Sequence, residues 1–317
     1  MTVNEPGNGL PPVAEARMAE IRRSGTWGSA LSSDEFAAIK SAGFEPVGQV
    51  LGAAVYNIGY TGGYGCPAYG VGYGFGPAGI YAGGPYNTVT ATSGGGSLNS
   101  YAPLVRTMYQ ARRQAIGRMT TECTELGGDG VVGVRLTIGG FPAGGLEFKA
   151  IGTAVRASVR PGARRPREPF TSDLSGQDFA KLMLAGWVPV GLVLGISVGA
   201  RHDDWMTVNQ TRWGAGNTEV HGYTDLINAT RHDARSQLER DVVRHGADGV
   251  VLQEMDIRVG EHECPVQEGR RDHVVEATII GTAIAHFGRP KATARPPLAI
   301  MSLDPQRRQA ARVRLGP

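Results

Sequence analysis

From residue 31 onward the apolar positions change period several times, and each change marks an element. The run LSSDEFAAIKSAGF places Ser32 three residues before Glu35, the spacing of a capping box, and stops at Gly43, which predicts a short helix. The valine-rich PVGQVLGAAV that follows reads as a buried strand. Beyond it Leu104, Met108, Ala111, Ala115, Met119, Cys123 and Leu126 recur at three- and four-residue steps, the stripe of an amphipathic helix that Gly127 ends. Asp129-Gly130 turns the chain into a strand where Val132, Val134, Leu136 and Ile138 alternate with Gly133, Arg135 and Thr137. A hairpin leads to a last strand over residues 146–155. The predicted order is helix, strand, insert, helix, strand, strand.

The same order returns in the second half. LSSDEFAAIKSAGFEPVGQVLGAAV from Leu31 aligns without a gap to LSGQDFAKLMLAGWVPVGLVLGISV from Leu174, with Ser175 and Asp178 at the capping positions and Gly186 at the stop. GGDGVV from Gly127 matches GADGVV from Gly246, and IGTAV from Ile151 matches IGTAI from Ile280. Leu226, Ala234, Leu238 and Val242 carry the second helical stripe, and Val251, Met255 and Ile257 carry the next strand, although Gln253 stands where Val134 does. Three blocks in one order predict an α+β chain: two tandem copies of a small domain, each with a mainly antiparallel sheet packed on one main helix. The boundaries are an N-terminal segment at 1–30, repeat one at 31–157, a linker at 158–170, repeat two at 171–287 and a tail at 288–317.

The 47 glycines and 19 prolines exceed ordinary usage and are concentrated. Residues 59–96 form a Gly/Tyr-rich insert with too little aliphatic surface to fix one backbone course, read as a mobile loop that serves assembly or binding, or as a tolerated surface excursion. The linker RPGARRPREP is Pro- and Arg-rich, as an exposed hinge should be. The tail carries Arg289, Lys291, Arg295, Arg307, Arg308, Arg312 and Arg314 against Asp304 alone and reads as disordered.

Several function classes lose support. A net charge of +3 without a recognisable module does not point to nucleic acid. No uninterrupted apolar stretch reaches the roughly 18 to 20 residues of a spanning helix. Residues 1–12 lack the basic start and apolar run of a secretory signal, and Cys66, Cys123 and Cys264 give no disulfide framework, so a cytoplasmic setting is expected. No Gly-rich turn followed by Lys-Ser/Thr opens a helix, and no Gly-x-Ser-x-Gly elbow occurs, so no enzyme is indicated.

The PVGxVLG strand, the Arg-containing helix, LGGDGVVGVRL from Leu126 and EFKAIGTAV from Glu147 together resemble the YbjQ-like family, described as heavy-metal-binding domains. HGADGVVLQEM from His245 and EATIIGTAI from Glu276 make the second copy similar to it. The resemblance implies a compact α+β domain that assembles into rings, a divalent heavy metal as ligand and no catalytic residues.

All seven histidines lie in repeat two, which places any His-dependent activity there. His262 and Cys264, with Glu261, Glu263 and His273 in the same hairpin, offer imidazole and thiolate ligands suited to an ion such as zinc. His202, Asp203 and Asp204 with His221 form a second candidate, and in both sets plain loop polarity is the competing reading. Cys123 reads as a core residue, His245 as the last-turn partner of a helix dipole, and Asp129 and Asp248 as turn residues. The expectation is a non-enzymatic homo-oligomer that binds a heavy metal. The alternative is a metal-free scaffold that recruits a protein partner through its Gly/Tyr-rich loop or basic tail.

Overall fold

The computed structural model describes residues 10–25, 28–57, 88–91, 101–141, 145–158, 168–263 and 271–287. Most of the Gly/Tyr-rich insert, most of the linker, Cys66, Cys264 and the basic tail lie outside the described residues.

The architecture is α+β: two four-stranded sheets, each with a long helix on one face. The first sheet has the order β1-β4-β3-β5, built from β1 (Phe44–Tyr56), β3 (Gly130–Phe141), β4 (Gly145–Ala157) and the short β5 (Phe170–Thr171). The second has the order β2-β6-β8-β7, from β2 (Thr88–Ala91), β6 (Trp187–His202), β7 (Gly249–Glu263) and β8 (Arg271–His286). All pairs are antiparallel except β3 with β5. The ladder of β1 on β4 shifts register between Pro46 and Gly48, and that of β6 on β8 shifts at the aligned Pro189 and Gly191. A proline cannot donate to a ladder, and a local irregularity of this kind accommodates the loss.

Helix α2 (Ser33–Ser41) starts with a complete capping box: Ser32 accepts from Glu35 N–H, and Glu35 accepts from Ser32 N–H. In α4 (Gly176–Leu184) Ser175 accepts from Asp178 N–H. The shorter Asp178 side chain instead accepts from the Ser175 hydroxyl at 2.8 Å. The predicted stripe of α3 (Ala102–Glu125) buries Met108, Ala111, Ala115, Met119 and Cys123, and α6 (His221–Arg244) buries Leu226, Ala234 and Leu238.

The core explains why β1 and β6 differ in sequence. In β1 alternate residues are buried under α3, while Glu45 and Gln49 face outward. In β6 both faces are covered. Leu192, Leu194, Ile196 and Val198 join α3 and the first sheet in one cluster, whereas Val193 packs with Ala234 and Leu238 of α6. A strand buried on both sides has no use for alternation, so its run is apolar nearly throughout.

Five elements were not foreseen, the short β5 and a 3-10 turn at Trp213–Ala215 among them. Helix α1 (Pro12–Ser24) occupies the N-terminal segment, with Met18 fully buried and Arg17 paired to Glu122 of α3. Helix α5 (Trp205–Gln210) sits between β6 and α6. Residues 88–91 of the expected mobile insert are instead strand β2, paired with residues 198–201 along the edge of β6. An edge of unpaired backbone groups is a template for an extended segment, and TVTA is β-prone.

Candidate functional site

Members of both candidate sets drawn from sequence, His202, Asp203 and Asp204 from one and His273 from the other, lie at one end of the second sheet. The register places Arg201 opposite His273 and His273 opposite Glu261; one step on, His202 faces Asp272 and Asp272 faces His262. His202 Nδ1 lies 2.7 Å from Asp272 Oδ1, both side chains buried. His273 Nε2 lies 3.2 Å from Asp203 Oδ1 and 2.8 Å from the Tyr223 hydroxyl, which itself donates to Asp203 at 3.2 Å. Burial, reinforced by the Asp203 charge, pushes the Tyr223 phenol well above its ordinary value, so it stays a donor. Arg201 is buried and pairs with Asp204 at 2.6 Å, and Asp204 caps α5 by accepting from Thr207 N–H at 2.7 Å. Burial opposes ionisation of Asp204, but the Thr207 donors and Arg201 outweigh it and hold its carboxyl low.

Glu261, Glu263 and His221 are not in this knot. Glu261 pairs with Arg271, Glu263 stands opposite Arg271 in the register, and His221 is exposed at the start of α6, 3.7 Å from Glu219. Among the described residues no three His, Cys, Asp or Glu side chains come together to hold a metal ion. Sequence reading missed Tyr223, Asp272 and Arg201. The only signal for them was their nearness in the chain to His221, His273 and His202.

Cys123, the described cysteine, is fully buried, and its thiol donates to Gly130 O at 3.4 Å. Burial, with the Asp129 charge adding to it, pushes its pKa up to about 12, so it is a protonated core thiol and a poor metal ligand. A cleft of about 1210 Å³ lies elsewhere, between α3 and the β6 edge, lined by Gln110, Arg118, Thr121, Asp241 and His245 among others.

The seam between the two halves is built from aromatic packing and a polar cluster. Phe44, Phe170 and Phe179 meet with centroids 5.1 to 6.1 Å apart. A Cβ on Gly130 would fall within the Phe170 ring. Ser172, Asp173 and Thr282 form a buried polar knot: Ser172 Oγ is 3.1 Å from Thr282 Oγ1, and the Thr282 hydroxyl donates to Asp173. Burial raises the Asp173 pKa, and its Oδ2 has no hydrogen-bond partner among the described residues. A raised carboxyl favours the protonated fold, so its stabilisation is complete below the unfolded pKa and is lost as pH rises through the folded value. Asp173→Asn is therefore expected to weaken the fall in stability that sets in as pH rises above the ordinary Asp value of about 4, and to raise the melting temperature once pH has passed the folded value. Calorimetry across that range checks it, and an unchanged profile would contradict it.

Comparison with known proteins adds the lineage. Residues 86–158 match the family model YbjQ_1, described as "Putative heavy-metal-binding". The match falls in the first half of the chain alone. The Encapsulin nanocompartment protein Rv1762c of Mycobacterium tuberculosis is 34% identical over 284 residues, covering 88% of this chain and 92% of that protein. The chain belongs to the same family as that protein. UPF0145 proteins of Clostridium perfringens and Halorubrum lacusprofundi are 43% and 47% identical over 61 and 62 residues, 19% and 20% of this chain and 55% and 57% of theirs. No solved structure matches. No described helix is long and apolar enough to cross a membrane.

The described side chains of residues 86–158 do not fit a heavy metal. Cys123 is a buried thiol, Glu122 accepts from Leu51 N–H and Arg17, and Asp129 accepts from Ala157 N–H. No histidine occurs in this stretch.

Proposed function

We propose that this chain is a non-enzymatic, self-assembling structural protein that works as part of a nanocompartment-type assembly in the cytoplasm, built from two copies of one unit at 31–157 and 171–287. The observation that carries this reading is likeness across 92% of the length of a relative named as an encapsulin nanocompartment protein. An edge strand with Leu252, Met255 and Val259 about half exposed or more is the kind of surface that assembly covers.

A divalent ion such as zinc is the second reading. It is favoured by the register that sets Glu261 opposite His273 and His262 opposite Asp272. Such an ion would have to displace the Tyr223 and Asp203 hydrogen bonds of His273.

Native mass spectrometry of untagged protein, with elemental analysis of the same sample, tests both. A discrete multi-chain species is expected. A single chain at micromolar concentration would overturn the assembly reading. Near one metal per chain, lost in His273→Ala, would establish the second.

A further inference from the structure

The seam inside the chain has one side that occurs twice and is covered once. Residues 170–174 run along the outer edge of β3: Phe170 N–H donates to Asp129 O, Ser172 N–H to Val131 O, Val134 N–H to Ser172 O and Gly133 N–H to Leu174 O, at 2.9 to 3.2 Å. The same segment is tied to its own half through Thr282, which accepts from Asp173 N–H at 3.1 Å, while Leu174 N–H donates to Ser172 Oγ at 3.2 Å.

Residues 29–31 hold the aligned position in the first half, with the same tie. Thr153 accepts from Ala30 N–H at 3.1 Å, Ser29 Oγ is 3.4 Å from Thr153 Oγ1, and Leu31 N–H donates to Ser29 Oγ at 3.1 Å. The aligned edge is that of β7, which ends its sheet with no strand beyond it among the described residues. Burial follows the difference. Val132, Ile39, Leu174 and Phe179 are buried at the seam; of their aligned partners, Val251, Leu182 and Leu31 pack against the margin of the same cluster and, like Phe36, stay only half-buried.

We propose that a second copy of this chain docks on the free edge of β7. Its residues 29–31 run beside residues 250–253 as residues 172–174 run beside residues 131–134. This rests on the self-assembly reading and names its surface. The contact joins two different patches, so each chain carries one donor patch and one acceptor patch, and copies add head to tail into a closed ring or an open filament. A second copy is the occupant because its segment 29–31 is pre-shaped by Thr153 in the way that the seam segment is shaped by Thr282.

The test blocks one patch at a time. Gly130 must be glycine because Phe170 lies on it, whereas a Cβ on Gly249 meets only the Ile284 side chain at 3.7 Å. Gly249→Leu therefore leaves the single chain folded and obstructs the path of a docked segment; Leu252→Lys, at a position 50% exposed, is a second acceptor variant. Ser29→Pro removes the N–H that would donate to Val250 O, and Gly28 before it tolerates the proline. Native mass spectrometry with melting curves should show multi-chain wild type and folded single chains for each variant. An equimolar mixture of Gly249→Leu and Ser29→Pro should give a two-chain species, since each variant keeps one working patch. Variants that assemble as wild type does would overturn this interface and leave self-assembly standing; wild type that remains a single chain would remove both.

Discussion

Gly52→Ala and Gly195→Ala are each expected to cost about 3 kcal/mol or more and to lower the melting temperature by roughly 6 to 12 °C. A Cβ at Gly52 would stand 2.7 Å from Met119 N and closer still to Ala115 O. At Gly195 it would stand 3.0 Å from Ala234 C and closer still to Ala234 O. The obstacle in both is helix backbone, which no rotamer change can move. Relief requires α3 or α6 to lift off its sheet, and that opens gaps along the stripe that buries Met119 or Leu238. Gly139→Ala is the control, because nothing lies within 4 Å of its Cβ, and it should be neutral or slightly stabilising. Urea denaturation of the three variants measures the differences. Equal stability for Gly52→Ala and Gly139→Ala would mean that α3 does not press on β1.

These glycines show what sequence pattern conveys. The Val-Leu-Gly of each strand is visible as an aligned word, and the helical stripes that cross it are visible as periods. The sequence cannot show that the two meet so closely that a methyl group is excluded. Helix α1 was missed for a related reason: it buries one side chain, Met18, and is held otherwise by the Arg17 to Glu122 and Arg22 to Glu125 pairs, so it carries almost no apolar stripe. Strand β2 was missed because four residues pair with a strand more than a hundred positions away, and local composition pointed to a loop.

The site was legible in kind and obscure in arrangement. His202, Asp203 and His273 were singled out, but in two separate sets. Pairing β6 with β8 brings them together, and the register of a hairpin strand with a distant one is set by packing that periodicity does not reveal. Once together, each imidazole has a carboxylate within 2.7 to 3.2 Å and Tyr223 joins one pair. The outward likeness of the halves was clear from the aligned blocks. The inward difference, one edge covered by residues 170–174 and the other with no strand beyond it among the described residues, depends on backbone hydrogen bonds that side-chain identities do not encode.

Glu122→Ala is expected to cost about 3 kcal/mol, and the order of its companions identifies why. Glu122 is 1% exposed, although a carboxylate is rarely found so deep without partners. Its Oε2 accepts from Leu51 N–H at 2.8 Å and from the Arg17 guanidinium. Leu51 lies on edge strand β1, so helix α3 supplies a partner that no neighbouring strand provides. The second half solves the same problem with Asp241, which accepts from Leu194 N–H at 3.1 Å. Alanine at 122 would leave the Leu51 donor without this acceptor and Arg17 without its charge partner. Glu122→Gln keeps an acceptor and should cost about 1 kcal/mol. Arg17→Ala should cost less than Glu122→Ala, because Arg17 is 37% exposed and water can reach its site. Hydrogen exchange should then show α1 opening in Arg17→Ala and in Glu122→Ala, with β1 loosened only in the latter. Exchange confined to α1 in every variant would mean that Glu122 serves the N-terminal helix alone and that β1 is held without it.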